Sequence, residues 1–293
     1  MKDYIVRAMD KGGNIRVFVA STTNLVEEAR QTHNTAPTAT AALGRTLTAA
    51  SLMGNTLKND SDTISLQIMG SALIKNVLAV SNNKGEVKGY ISNPNANPPL
   101  KRKGKLDVGA AIGEGKLIVI RDLGLREPYI GQSDLVSGEI AEDLTNYFVY
   151  SEQQPSAVAL GVLVDVDLSV RAAGGYIIQI LPNADEEIIS KLEQRLSNVE
   201  PVSTLIDKKY SPEDILEYIC DGIEMKITET KDLKLVCDCS TDRIEKVLIS
   251  MGERELTDII EEDGEAEVVC HFCNHKYKFN KEELIKILEQ AKI

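Results

Sequence analysis

Four cysteines stand in two close pairs, Cys237-Asp-Cys239 and Cys270-His-Phe-Cys273, with 30 residues between them. Two such pairs of soft donors are what a tetrahedral four-thiolate zinc site requires. The second pair follows the apolar Val268-Val269 and precedes Asn274-His275. That is the pattern of a turn that aims two sulfurs and its own amides at one metal, and Asn274 tolerates the left-handed backbone such a turn uses. The first pair, with one intervening residue, reaches the same metal if the chain bends there. His271 and His275 are rival ligands, but four thiolates already fill the shell. The fifth cysteine, Cys220, sits in helical context without a near partner and reads as a buried thiol.

The alternative use of a Cys-x-x-Cys pair is thiol–disulfide catalysis, in which the pair opens a helix after a strand. Here helical signal returns only at Asn280, which with Glu283 forms a cap for 281–291. The placement counts against an oxidoreductase. Between the pairs lies the acidic stretch Glu253–Glu267, with Leu256, Ile259 and Ile260 as its one apolar stripe. Its charge repels itself in a compact module of some 60 residues, which is short for unaided folding. Such a module is held by its metal. Zinc is redox-inert and its thiolates are not, so their oxidation ejects the metal and unfolds the module.

The elements that must carry this module are legible upstream. Tyr4–Met9 and Ile15–Ala20 flank a hairpin turn at 10–14, and Asn24 is a candidate cap for a helix over Leu25–Thr32. Pro37 starts a helix through Gly54 whose small residues and single charge, Arg45, predict burial on most sides. Strands follow at Thr63–Met69, Ile74–Val80, Val87–Ile91 and Leu117–Arg121. Gly138–Tyr150 has the spacing of an amphipathic helix. Ala157–Val170 and Tyr176–Leu181 read as two strands, with the turn between them at Arg-Ala-Ala-Gly-Gly. Ala184–Val199 is an amphipathic helix, and Ser211-Pro-Glu-Asp214 marks another helix start. The fold class expected is α+β. An N-terminal, mostly antiparallel sheet with packed helices fills 1–182, a helical linker spans 183–230, and a small four-cysteine zinc module occupies 231–293. The linker's apolar stripes, in Ala184–Val199 and Pro212–Cys220, need a partner, and an apolar face of the first domain is the nearest.

Charge is distributed in the same way. Of 33 basic and 45 acidic side chains in 293 residues, the first 180 hold 18 of each, so the whole excess of -12 lies in the remainder. A pI near 4.9 argues against a nucleic-acid binder. The cluster Lys101-Arg102-Lys103-Gly-Lys105 reads as a solvated turn. No stretch approaches the 18 or so apolar residues of a membrane span, and the N-terminus is too polar for a signal peptide, which points to a reducing, cytoplasmic location.

Longer segments carry a resemblance. His33-Asn-Thr-Ala-Pro-Thr-Ala-Thr-Ala-Ala-Leu-Gly-Arg45, Val119-Ile-Arg-Asp-Leu-Gly-Leu-Arg-Glu-Pro-Tyr129 and Leu135-Val-Ser-Gly-Glu-Ile-Ala-Glu-Asp-Leu-Thr-Asn-Tyr-Phe148 are three of them. Ser151-Glu-Gln-Gln-Pro-Ser-Ala-Val-Ala-Leu-Gly161 and Ala172-Ala-Gly-Gly-Tyr-Ile-Ile-Gln179 are two more. With the cysteine pairs, they make the chain similar to the redox-regulated 33-kilodalton heat-shock chaperone family. The resemblance implies one zinc ion on Cys237, Cys239, Cys270 and Cys273 in the reduced state. It implies oxidation to Cys237–Cys239 and Cys270–Cys273 disulfides, zinc release, a loosened linker and a homodimer. It further implies a holdase for unfolded client proteins that uses no ATP and has no catalytic residues. Cys220 lies outside the family pattern. The competing readings are a thiol–disulfide oxidoreductase and a zinc-ribbon protein whose metal only staples an interaction module.

Overall fold

The computed structural model describes residues 2–101 and 105–291. Contacts divide the chain into two compact units, one ending at Val236 and one beginning at Cys237.

The first unit opens with a hairpin of β1 (Tyr4–Asp10) and β2 (Ile15–Ser21). The Asp10 carboxylate closes its turn by accepting the amides of Asn14 at 2.6 Å and Ile15 at 2.7 Å. Helices α1 (Thr23–His33) and α2 (Pro37–Gly54) follow, then β3 (Thr63–Gly70), β4 (Asn76–Asn82) and β5 (Glu86–Ile91). Next come α3 (Val108–Ile112), β6 (Gly115–Asp122), β7 (Tyr129–Asp134) and α4 (Ala141–Tyr150). The unit ends with β8 (Ser156–Val164), β9 (Val170–Ile180), α5 (Glu186–Leu196), α6 (Val202–Asp207), α7 (Pro212–Ile219), β10 (Met225–Asp232) and β11 (Lys234–Leu235). Two sheets form where the sequence suggested one. A five-stranded sheet runs β10-β1-β2-β9-β8, and a six-stranded sheet runs β11-β5-β4-β3-β6-β7. All pairings are antiparallel except β11 with β5.

Helix α2 packs against strands of both sheets, and every residue from Thr38 to Gly54 is buried. Its small residues permit this: a Cβ on Gly44 would meet Val26 at 2.5 Å and Val162 at 2.9 Å. Three of its buried hydroxyls are satisfied within the helix, Thr46, Thr48 and Ser51 donating to the carbonyls of Ala42, Gly44 and Leu47. Arg45, the one charge, pairs with Glu139 at 2.7 Å. Lys101 joins the same Glu139, so it is not a freely solvated turn charge. Arg102 and Lys103 lie outside the described residues.

The five-stranded sheet is apolar on both faces. Ile5, Phe18, Ala20, Ala173 and Ile177 face the core around α2. Val6, Ala8, Ile15, Val17, Val19, Tyr176 and Ile178 face the other way, against Leu192 of α5, Val202, Leu205 and Ile206 of α6, and Ile215, Leu216 and Ile219 of α7. The region 183–230 therefore folds as a lid over that outer face. Strand β10 straddles its end, and β11 follows at once. Both strands join sheets of the first unit, which moves the unit boundary from the expected 230/231 to 236/237.

Two local expectations need correction. Thr22, not Asn24, precedes α1, and the Asn24 amide binds Asp3 at 3.2 Å from inside the first turn. The β8–β9 turn falls at 165–169, where the Asp165 amide donates to Ser169 at 2.8 Å, and Arg-Ala-Ala-Gly-Gly lies inside β9. Those glycines serve close approach, not turning. A Cβ on Gly174 would meet the Ala20 carbonyl at 2.3 Å and the Ile206 side chain at 2.4 Å. Gly174→Ala should therefore lift α6 from the sheet and cost about 1–3 kcal/mol in urea unfolding. An unchanged midpoint would show that the approach is not tight.

Candidate metal and thiol centre

The second unit is small. Helices α8 (Thr241–Met251) and α9 (Glu253–Glu262) precede the hairpin of β12 (Glu265–Val269) and β13 (Lys276–Asn280), and α10 (Lys281–Ala291) closes it. Leu248, Leu256, Ile260, Phe279, Leu284 and Ile287 are its buried core. The expected cap of α10 is present: the Asn280 side chain accepts from the Glu283 amide at 3.0 Å, and Glu283 accepts from the Asn280 amide at 2.9 Å.

Each cysteine pair is held by local backbone chemistry. Cys270 and Cys273 lie in the β12–β13 turn, where the Cys270 amide donates to the His275 carbonyl at 2.9 Å and the Asn274 amide donates to the Cys270 carbonyl at 2.8 Å. Asn274 takes the left-handed conformation anticipated for it, with φ of 57°. Cys237 and Cys239 lie in the irregular segment before α8. Ser240 caps that helix, and Arg243 from its first turn pairs back to Asp238, fixing the bend between the two sulfurs. The bend, not strand alternation, brings both to one side.

The four sulfurs converge within 4.8 Å of one another. Cys237 Sγ lies 3.6 Å from Cys270 Sγ, and Cys239 Sγ lies 3.4 Å from Cys273 Sγ. A tetrahedral S4 site with zinc–sulfur bonds of about 2.3 Å has sulfurs about 3.8 Å apart. The donor set and its spacing fit such an ion. His271 and His275 are not in the cluster, and the His275 ring packs edge-on against Tyr277 at 4.7 Å. Cys220 lies in the first unit, buried at the end of α7, where burial and then the Asp10 charge push its thiol up to about 12. It is an inert packed thiol.

Tyr277 is a member of the site that the sequence reading passed over. Its hydroxyl donates to Cys239 Sγ at 3.1 Å. Burial raises the Cys239 thiol, but hydrogen bonds from Tyr277 and the neighbouring thiols outweigh it and bring it down to about 7. Burial holds Cys237 and Cys273 above the usual thiol range. The signal was available in strand alternation: Tyr277 pairs with Val268, two residues before Cys270, at the mouth of the turn.

An α+β protein with a separate four-thiol unit is the class this fold and site define. The comparisons narrow it. The Hsp33 protein family model matches residues 3–280. A 33 kDa chaperonin of Alkaliphilus oremlandii is 52% identical over 98% of this chain and 96% of its own. A 33 kDa chaperonin of Clostridioides difficile is 50% identical over 99% of this chain and 100% of its own. A crystal structure of the 33 kDa chaperonin of Thermotoga maritima superposes with a TM-score of 0.92 at 38% identity, covering 100% of this chain and 99% of that one. The chain belongs to the Hsp33 family of chaperones.

A thiol depressed to about 7 has a direct consequence for the reduced, metal-free protein. A folded value below the unfolded one adds stability above the unfolded thiol pKa of about 9, which is lost as pH falls through about 7. Alkylation at neutral pH should label Cys239 ahead of Cys237 and Cys273, as peptide mapping would show. Tyr277→Phe should reduce that lead. Equal labelling of all four thiols in the native sequence would contradict the assignment.

Proposed function

We propose that this protein is a redox-regulated holdase, inactive when reduced and zinc-bound and activated by oxidation of Cys237, Cys239, Cys270 and Cys273. The observation that carries the reading is the doubly apolar five-stranded sheet, whose outer face is covered by α5, α6 and α7. Each large side chain on that face loses about 1.5–3 kcal/mol of burial when uncovered, so the face is a strong binder of apolar segments once the lid leaves.

Bound zinc would supply charge neutralisation and four-fold crosslinking of the four thiolates. The chain's own residues supply the switch. Oxidation within each pair forms Cys237–Cys239 and Cys270–Cys273, and each bond closes a loop of one or two residues. Such bonds consume the metal donors yet leave the intervening helices untied. The sulfurs in closest contact belong to opposite pairs, 237 with 270 and 239 with 273. Bonds between those would staple the unit shut by closing a loop of some 30 residues, which constrains the unfolded chain far more. Pairing within neighbours, which the family resemblance implies, is the pattern that would leave the module free to open.

Strands β10 and β11 run directly into Cys237, so loss of order there propagates along the chain into 183–230. The proposed division is a chaperone core over 1–182, a linker over 183–236 whose helices α5, α6 and α7 form the lid, and a redox unit from Cys237 onward. The exposed face holds unfolded clients, and two copies associate through newly uncovered surface. No helix among the described residues is long and apolar enough to cross a membrane, and free cysteines with an acidic balance fit a reducing cytoplasm and no nucleic-acid partner. The Cys-x-x-Cys pair sits in a hairpin turn, not at a helix start, which supports a non-enzymatic role.

Peroxide-treated, zinc-free protein should suppress the light scattering of a denatured client, and reduced zinc-loaded protein should not. Equal suppression by both forms would refute the switch, and turnover of a disulfide substrate would favour an oxidoreductase.

A further inference from the structure

A cavity of about 440 Å³ opens in the first unit between the end of α2, the core-facing side of β2 and β9, and the ends of β6 and α4. It lies in the charge-balanced part of the chain, far in sequence from the cysteines, and the redox reading gives it no role. Its size falls in the range of small-molecule sites. Its floor is apolar: Phe18, Met53, Leu57, Phe148 and Ile177 line it.

Its polar groups are unequal. Arg121 is neutralised by Glu152 at 2.5 Å. Asp62, the other acid in the wall, is already engaged by the Asn59 amide at 3.0 Å and side chain at 3.1 Å. Arg16 is different. Its guanidinium lies half-buried over the Phe18 ring, 5.4 Å from the centroid, and Arg7 lies over the same ring at 5.8 Å. Arg16 spends Nε and Nη2 on one neutral acceptor, Gln179 Oε1, at 3.1 and 2.7 Å. Among the described residues no carboxylate pairs with Arg16, Arg7 or Lys58. Burial and the nearby Arg7 charge both disfavour the charged form of Arg16. A half-buried guanidinium with a like charge beside it and no counter-ion is costly unless an anion completes it. The carbonyls ending α2 do not compete for it, because Thr56 and Leu57 amides already occupy those of Met53 and Gly54. Lys58 is exposed at the mouth and adds a second uncompensated cation.

We propose that this cavity binds a small amphiphilic anion, a carboxylate or phosphate on a compact apolar body, with the head group on Arg16 and Lys58 and the body on the Phe18–Phe148 floor. Arg is suited to this because its planar fork bonds an oxyanion through two N–H groups while its face stacks on an aromatic ring.

The test is isothermal titration of the reduced, zinc-loaded full chain with four probes: 4-phenylbutyrate, phenyl phosphate, the neutral 4-phenylbutan-1-ol and inorganic phosphate. Saturable one-to-one binding of either aromatic anion, about tenfold tighter than the alcohol and inorganic phosphate, is expected. Which aromatic anion binds more tightly identifies the head group. Arg16→Met should weaken that binding by about tenfold or more, with an unchanged far-ultraviolet spectrum. Lys58→Glu, at an exposed side chain, should weaken it by a similar factor and keeps the test decisive should Arg16→Met misfold. No saturable binding below about 10 mM, equal binding of the alcohol or of inorganic phosphate, or indifference to Lys58→Glu would overturn the proposal.

Discussion

The convergence of four sulfurs within 4.8 Å is the constraint on which the second unit depends. Hydrogen bonds between reduced thiols are weak, and two of the thiols are pushed by burial away from the thiolate form that binds metal. The surrounding unit offers little else. Its core is six buried side chains, and α9 carries acidic residues on nearly every exposed position. A domain of that size gains too little from apolar burial to offset chain entropy comfortably. The sulfurs are thus the place where a bound metal or a covalent bond would add most to its order.

The first unit has the opposite economy. Helix α2, wholly buried between strands of two sheets, gives it a core that stands without metal. The sheet over that core is apolar on its far side as well, and the far side is closed by α5 to α7, which have few other contacts. Short helices of this length are marginal in isolation and owe their order to what they pack on. In such an arrangement the short covering helices can lose order at less cost than the platform beneath them.

Much of this was legible in the sequence because it rests on local patterns. Cysteine spacing named the four converging residues, Asn274 and the Asn280/Glu283 cap fell where expected, and the small residues of Ala39–Gly54 announced a buried helix. What was not legible depends on long-range pairing. Strand β10, with the charged sequence Met-Lys-Ile-Thr-Glu-Thr-Lys-Asp, gives no apolar alternation because it is an edge strand of the five-stranded sheet, and only its pairing with β1 reveals it. Gly174 and Gly175 mimic a turn signal because a close approach and a turn both require a missing side chain. Tyr277 stands where strand alternation puts it, opposite Val268, but the contact of its hydroxyl with a thiol 38 residues away has no sequence signature of its own.

The central claim is that chemistry at the four cysteines uncovers the outer face of the five-stranded sheet. Hydrogen–deuterium exchange of the reduced zinc-loaded and the peroxide-oxidised protein measures it most directly. The account predicts a large rise in exchange across the helices of 183–230 on oxidation, while α2 and the strands over the core stay protected. Unchanged protection in 183–230 in protein that has lost its metal would contradict it.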